Sequence, residues 1–421
     1  FFFGLRIAGT MVQPCDPYRF SNSYCAGVRS EARHEEFTSE AHIYPSNGRT
    51  GKSSGVSVET EKGNPSKRLK AQIQLNHQIC KVAANGSARA LLDLVYEKRE
   101  EMNMVNLSTA IHKLARTVKD GQCMVTDDER FCALRRQVLL VLEKRAERNA
   151  DQDSSHPRCW ATIAWAFAKM QMKDFEATRC LEIIIRLSIK HIGCFKPMEI
   201  TNLLWAVAKS PCRQPELFRR GQRVVLAGLH NFSQSNLSTL VWAFATVQQS
   251  NCSFFLSTVL GEFVKGIVKS TQADSSDQRQ PEVAPIDIAN LMWGLAQAQL
   301  AVEAYMIETV GDCAAHMLSA FKPQELSITA WSFSRLHAMH DHFFYTAALL
   351  VRTCPQLRHD MQPQSVANLL WAFAKQVQLG CSVSGALRAS LPMLIPTCAR
   401  LLKSLKPFEL SSVLLAITDL G

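Results

Sequence analysis

Polar side chains that could contact a nucleic-acid strand recur at two positions of a segment that the chain repeats. Each copy is numbered from one central residue, position zero, and these residues are His112, Trp165, Trp205, Trp242, Trp293, Trp331, Trp371 and Leu415. Position −3 holds Thr109, Thr162, Asn202, Thr239, Asn290, Ile328, Asn368 and Ser412. Position +4 holds Arg116, Lys169, Lys209, Thr246, Gln297, Arg335, Lys375 and Asp419.

Positions −3 and +4 are seven residues apart, about two turns of an α-helix, so their side chains share one face. Repeated in neighbouring helices, Asn or Thr beside Lys or Arg makes a stripe of hydrogen-bonding groups next to positive charge. The cations can contact phosphates, and the amides and hydroxyls can reach base edges. We therefore predict RNA binding by Arg116, Thr162, Lys169, Asn202, Lys209, Thr239, Asn290, Gln297, Arg335, Asn368 and Lys375.

The same positions also have a structural interpretation. Asn and Thr can hydrogen-bond to nearby backbone, and a lysine at a helix end can satisfy the last carbonyls and the helix dipole. Helical-repeat proteins also bind peptides on comparable surfaces, so periodicity alone leaves these alternatives open. The tryptophans have almost entirely apolar neighbours, which predicts core residues rather than platforms for base stacking.

Catalytic and cofactor sites are not predicted. The segment GRTGKSS (48–54) resembles a phosphate-binding loop, but Ser46 stands where the pattern requires glycine. His337, His340 and His342 cluster near a helix end, where a solvated loop is favoured over a metal site that lacks a fourth ligand. No nucleophile elbow, metalloprotease motif or deaminase signature occurs. We predict a protein that is not an enzyme and uses no cofactor.

The elements that must position the stripe follow from the repeat itself. Successive tryptophans are 40, 37, 51, 38 and 40 residues apart, and the long interval contains the polar segment 271–284, which is typical of a surface loop. Eight residues before position zero, six copies have a proline: Pro157, Pro197, Pro285, Pro323, Pro363 and Pro407. Two residues after the proline, four copies have an acid: Glu199, Asp287, Glu325 and Glu409.

Proline is favoured at the first helical position, and an acid there meets the positive end of the helix dipole. Each unit therefore begins with a helix at the proline, and a second amphipathic stretch follows it. Positions −4 and +3 hold only small residues, which predicts close packing of this helix on its neighbours. We predict an all-α fold, a right-handed α-solenoid of about eight helix-turn-helix repeats of 38–40 residues.

Outside the repeats, composition sets the domain organisation. Residues 1–70 lack helical periodicity, which predicts a disordered tail, with residues 71–421 forming the solenoid. The stretch after Met11 is compatible with an organelle-targeting segment and equally with a plain tail. The net charge of +10 suits an acidic partner without proving one, and the scattered cysteines predict free thiols in a reducing compartment. No apolar run reaches 18 residues, so no membrane span is predicted.

The L-L-W-A-x-A-K core at 203–209 and 369–375, the proline-led helix start and the 38–40-residue period resemble the octotricopeptide repeat family over residues 105–421. That family consists of organellar RNA-binding α-solenoids related to FAST-kinase-like and RAP-domain proteins. The resemblance implies selective binding of single-stranded RNA, about one base per repeat. It also implies RNA processing, stability or translation in a mitochondrion or plastid, alongside other organellar RNA-processing proteins. No RAP module is visible, and the alternative is a protein-interaction scaffold.

Overall fold

The protein is built from helices joined by turns. A computed structural model describes residues 65–117, 125–147, 156–248, 252–272 and 283–421, and no β-strand occurs within these ranges. The helices that carry position zero, here called the first row, are α3 (Met104–Thr117), α5 (Pro157–Lys169), α7 (Pro197–Lys209), α9 (Gln234–Val247), α11 (Pro285–Gln297), α13 (Pro323–Arg335), α16 (Pro363–Gln378) and α19 (Pro407–Leu420).

The second row is formed by the helices that alternate with the first along the chain. They are α2 (Ala88–Lys98), α4 (Glu129–Glu147), α6 (Phe175–His191), α8 (Pro215–Ala227), α10 (Ser253–Gln272), α12 (Ala304–His316), α14 (Asp341–Thr353) and α18 (Leu391–Leu401). The remaining α-helices are α1 (Pro65–Ala84), α15 (Pro355–His359) and α17 (Ser384–Arg388). Short 3-10 helices cover Arg99–Glu101, Ile192–Cys194, Leu229–Asn231, Leu318–Ala320 and Leu402–Ser404.

Packing runs from neighbour to neighbour within each row. Every first-row helix contacts the next one from α3 to α19, and α1 packs against α3 at the start of the row. In the second row, α2 contacts α4, α4 contacts α6, and α6 contacts α8. Further along, α10 contacts α12, and α12 contacts α14. The all-α prediction is confirmed, and a contact pattern confined mostly to adjacent units is consistent with an α-solenoid.

Proline begins α5, α7, α11, α13, α16 and α19, as the sequence predicts. The acid two residues later has a more specific role than an interaction with the helix dipole. In α7, α11, α13 and α19 its carboxylate accepts a hydrogen bond from the backbone N–H of the residue before the proline, at 2.9, 3.1, 2.8 and 2.8 Å respectively. These bonds satisfy backbone donors that a helix start leaves without partners.

The small residues at positions −4 and +3 lie in the contacts between first-row helices. In α7, Thr201 is 2% exposed and Ala208 is 3% exposed, and both positions are buried in every copy from α3 to α16. Short side chains allow two helix axes to approach closely. At one such contact the hydroxyl of Ser334 in α13 donates a hydrogen bond to the carbonyl of Ala372 in α16, at 3.1 Å.

The predicted tail boundary at residue 71 and the predicted loop at residues 271–284 both lie close to residues that the structure does not describe. Helix α1 begins at Pro65, so the predicted boundary at residue 71 falls inside it, and residues 1–64 lie outside the described residues. Helix α10 extends to Gln272, and most of the predicted loop, residues 273–282, also lies outside them. Among the described helices, none combines the length and the apolar character that a membrane crossing requires.

Gly294 in α11 packs directly against α9, so one added methyl group should have a measurable effect. A Cβ atom on Gly294 in α11 would lie 2.6 Å from Cγ1 of Val241 and 3.0 Å from its carbonyl oxygen in α9. We expect Gly294→Ala to lower the free energy of unfolding by about 1–3 kcal/mol, because the added atom overpacks this contact. Thermal denaturation followed by circular dichroism measures the change.

Gly261→Ala in α10 is the matched control, because the nearest atom to its new Cβ, Cε of Met306, is 4.0 Å away. This control should be neutral or raise stability by about 0.5–1 kcal/mol, as Ala has the higher helix propensity. Equal stability of the two variants would contradict the close packing of α9 on α11.

Candidate nucleic-acid interface

The eleven predicted RNA-binding residues, here called the polar stripe, all lie in first-row helices from α3 to α16. Position zero lies between positions −3 and +4 on the same side of each helix, since residues three and four apart are neighbours on a helix surface. Two members are exposed, Arg116 and Arg335. Eight are half-buried: Thr162, Asn202, Lys209, Thr239, Asn290, Gln297, Asn368 and Lys375. Lys169 differs from the others, as it is only 6% exposed.

Rings at position zero contact one another between several pairs of neighbouring first-row helices. Their centroids are separated by 5.2 Å for His112 and Trp165, 6.4 Å for Trp205 and Trp242, 5.9 Å for Trp242 and Trp293, and 6.3 Å for Trp331 and Trp371. These contacts bring the same position of consecutive helices side by side, so the stripe positions of those helices are in register too. The central tryptophans at 205, 242 and 293 are at most 5% exposed, as expected of core residues, whereas those at 165, 331 and 371 are half-buried.

Two lysines of the stripe are held over the tryptophan of their own helix. The Nζ atom of Lys169 lies 5.2 Å from the ring centroid of Trp165, and Nζ of Lys209 lies 5.1 Å from that of Trp205. Both distances are within the range of a cation–π interaction. Each ammonium group is therefore held against a ring at position zero, so positive charge lies beside the row of rings.

Most stripe side chains have no polar partner among the residues that the structure describes. Among the described residues, no hydrogen bond or ion pair joins another protein group to the side chains of Arg116, Thr162, Asn202, Thr239, Gln297, Arg335, Asn368 and Lys375. By contrast, the hydroxyls of Thr246 and Ser412 donate to the carbonyls of Trp242 and Phe408, at 2.8 and 2.9 Å. Backbone bonding thus accounts for Thr246 and Ser412, but not for the eight stripe residues.

His112 occupies position zero of α3, in the most strongly charged part of the stripe. Burial lowers the pKa of His112, and the charges of four nearby cations lower it further, to about 4. Those cations are Arg116, Lys113, Lys169 and Arg158. The imidazole is therefore neutral near pH 7, which lets it pack against Trp165 in place of a tryptophan.

Three further cations lie beside the stripe, and the sequence-based prediction did not include them. Lys113, Arg158 and Lys196 line a cleft together with Thr109 and Thr162. The sequence did contain a signal for Lys196, because a lysine directly precedes the helix-starting proline at 196, 322 and 406. No comparable pattern marks Lys113 or Arg158, whose proximity depends on the packing of α3 and α5.

The histidine cluster of residues 337–342 has a local structural role. The Nδ1 atom of His340 accepts a hydrogen bond from the backbone N–H of Phe343 at the start of α14, at 3.1 Å. The rings of His316 and His342 meet edge to face, with centroids 5.5 Å apart. In the part of the chain that the structure describes, no three His, Cys, Asp or Glu side chains are arranged to hold a metal ion. The GRTGKSS segment lies outside that part.

The described cysteines carry free thiols. Burial raises the pKa of Cys180 to about 12 and that of Cys398 to about 11, so neither thiol is reactive near pH 7. Cys194, in the 3-10 helix before α7, is exposed and lines the same cleft as Lys196.

No protein-family model matches the chain, and no curated protein matches it. The candidate interface is therefore defined by its own residues alone.

The environment of His112 predicts how stability changes with pH. Its pKa is about 4 in the folded protein and 6.5 when unperturbed, so the unfolded chain binds the proton more tightly. The stability contribution is complete above pH 6.5 and is lost as the pH falls from 6.5 to about 4. At about 1.4 kcal/mol for each pH unit, the total loss is about 3 kcal/mol.

Urea denaturation at several pH values measures this slope in the parent protein and in His112→Gln. The variant should lose less stability than the parent between these pH values, because it has no imidazole to protonate. His77→Gln, at an exposed position in α1, should behave like the parent. If the free energy of unfolding changes with pH equally in the parent and in His112→Gln, His112 is not buried among cations as described.

Proposed function

We propose that this protein binds single-stranded RNA along the polar stripe and does not transform it chemically. In this proposal the two rows form a right-handed α-solenoid of about eight repeats. Lysine and arginine contact phosphates, and asparagine, glutamine and threonine contact bases. The proposed role is organellar RNA processing, stability or translation, in a mitochondrion or plastid, as expected from the resemblance to octotricopeptide repeat proteins.

One observation carries the proposal: eight stripe side chains, brought into line by the first row, make no polar contact with the protein among the described residues. Polar groups held together without protein partners are available to a ligand. In several helices the stripe pairs a cation with an amide or hydroxyl, as with Asn202 and Lys209 or Asn368 and Lys375, and this pairing suits a polymer that repeats a phosphate and a base. The competing proposal, a protein-interaction scaffold, requires a peptide to use the same groups and is separated by the following experiment.

Neutralising the accessible cations of the stripe should weaken RNA binding and reduce its dependence on salt. The variant carries Arg116→Gln, Lys209→Gln, Arg335→Gln and Lys375→Gln, and it leaves the buried Lys169 unchanged. Each phosphate contact with a single strand contributes about 0.7 to the slope of log affinity against log salt, so four lost contacts lower the slope by about 3. Fluorescence anisotropy with a labelled pool of single-stranded RNA, at about 50 to 200 mM salt, measures both quantities.

The control variant removes the same charge from exposed positions of the second row: Lys144, Arg186, Arg223 and Arg352, each changed to Gln. It should keep the salt slope of the parent, because these helices do not carry the stripe. If the two variants bind RNA equally well, the stripe is not the binding surface. If the parent binds peptides and no RNA, the scaffold proposal replaces this one.

The amides of the stripe should affect base preference more than overall affinity. Asn202→Ala and Asn368→Ala each remove a group that can hydrogen-bond to one base, without removing charge. We expect each variant to lose about tenfold discrimination at one nucleotide position, while the salt slope stays constant. Sequencing the RNAs retained from a random pool measures this, with Asn231→Ala, exposed beside the second row, as the control.

A further inference from the structure

A cleft opens beside the first stripe residues, where α3, the start of α5 and the segment leading into α7 meet. Its volume is about 400 Å³, within the range of small-ligand sites in proteins. The residues that matter in it are Thr109, Lys113, Arg158, Thr162 and Lys196. They come from three separate elements, so the cleft exists only because these elements pack together.

Positive charge is denser here than elsewhere along the stripe. Lys113, Arg158 and Lys196 line the cleft together, whereas the first-row helices from α7 to α19 each contain at most one cation, besides the lysines that directly precede α13 and α19. Glu199 is the single acid among the lining residues, and its Oε2 atom already accepts the backbone N–H of Lys196 at 2.9 Å. The low pKa of His112, which also lines the cleft, reflects both its burial and the cations around it.

Hydrogen-bonding groups are present beside these cations. Thr109 and Thr162 are among the lining residues, and within the described ranges neither hydroxyl makes a hydrogen bond to another protein group. Lysine and arginine together with hydroxyl donors are the groups that bind phosphate oxygens in proteins. An anion with several acceptor oxygens is therefore the ligand that this lining fits.

The position of the cleft distinguishes two kinds of phosphate. Helix α3 is the first helix of the row to carry a position-zero residue, so the cleft lies at one end of the stripe. An internal phosphate of RNA carries one negative charge, whereas a phosphate monoester carries about −1.5 to −2 at pH 7. Several cations gathered at the end of a row whose later helices each contain one cation or none fit the more highly charged group.

We propose that this cleft binds a terminal phosphate monoester of the RNA strand that lies on the polar stripe. This inference rests on the proposed RNA-binding function. It adds that the protein recognises a phosphorylated strand end, so the bound RNA has a defined end at α3 and α5. The strand would be the product of a reaction that leaves a terminal phosphate, such as cleavage of a longer RNA.

The test compares one RNA sequence, recovered from the bound pool, in three forms: with a 5′-phosphate, with a 3′-phosphate and with hydroxyls at both ends. One phosphorylated form should bind the parent protein about tenfold more tightly than the hydroxyl form. In the variant Lys113→Gln, Arg158→Gln and Lys196→Gln this preference should disappear. The quadruple stripe variant should weaken all three forms and keep the preference.

The outcomes separate the two proposals. If no form of the RNA binds the parent, the RNA-binding function itself is wrong. If all three forms bind equally well, RNA binding stands and the terminal-phosphate site is overturned. If a nucleoside monophosphate displaces the preferred RNA, recognition of the monoester is supported. If that nucleotide binds tightly while the protein shows no preference among the three RNAs, a free nucleotide is the ligand and the strand-end assignment is overturned.

A second measurement locates the ligand without changing the cations. Cys194 is exposed and lines the cleft, so the preferred RNA should slow alkylation of its thiol by iodoacetamide. Mass spectrometry of the peptide that contains Cys194 measures the rate, and the hydroxyl-ended RNA at equal occupancy is the control. Equal alkylation with and without the phosphorylated RNA would show that the phosphate binds elsewhere.

Discussion

Close contact between neighbouring first-row helices is the constraint on which the rest of the structure depends. Small side chains at positions −4 and +3 are buried from α3 to α16, and Gly294 lies directly against Val241. A larger residue at any of these positions would separate two helices and displace those that follow. Because each unit contacts mainly its neighbours, the geometry of the contact between adjacent first-row helices sets the position of every following helix in the row.

The row of rings and the polar stripe both follow from that contact. Close packing of neighbouring helices brings His112 against Trp165, and several of the tryptophans at position zero against one another. Positions −3 and +4 lie beside position zero on each helix, so they are carried into line as well. The tryptophans thus connect the hydrophobic core to the polar surface, and Lys169 and Lys209 lie over two of them.

Charge is distributed unevenly along this surface. Most helices of the stripe supply one cation or none, whereas the α3–α5 end gathers Lys113, Arg116, Arg158 and Lys169 around His112. Burial of the His112 ring, together with the four cations around it, disfavours the protonated form and lowers its pKa, so the imidazole is held neutral there. In the proposed complex with RNA, this uneven charge gives the strand a direction along the stripe.

The sequence by itself determined the helices and the stripe, because both depend on residues close together in the chain. Proline at the helix start, an acid two residues later and a seven-residue interval between polar positions act within a single helix. Even so, the detailed role of that acid, accepting the N–H before the proline, needed the folded geometry.

Only the tertiary structure decided which of these residues are accessible and which act together. Lys169 follows the same local pattern as Lys209, yet it is buried by its surroundings. Within the described part of the chain, eight stripe residues have no polar partner, and Lys113, Arg158 and Lys196 meet in one cleft. Both features depend on elements that are far apart in the chain. Contacts between distant residues arise from packing between helices, and the pattern within one helix does not contain them.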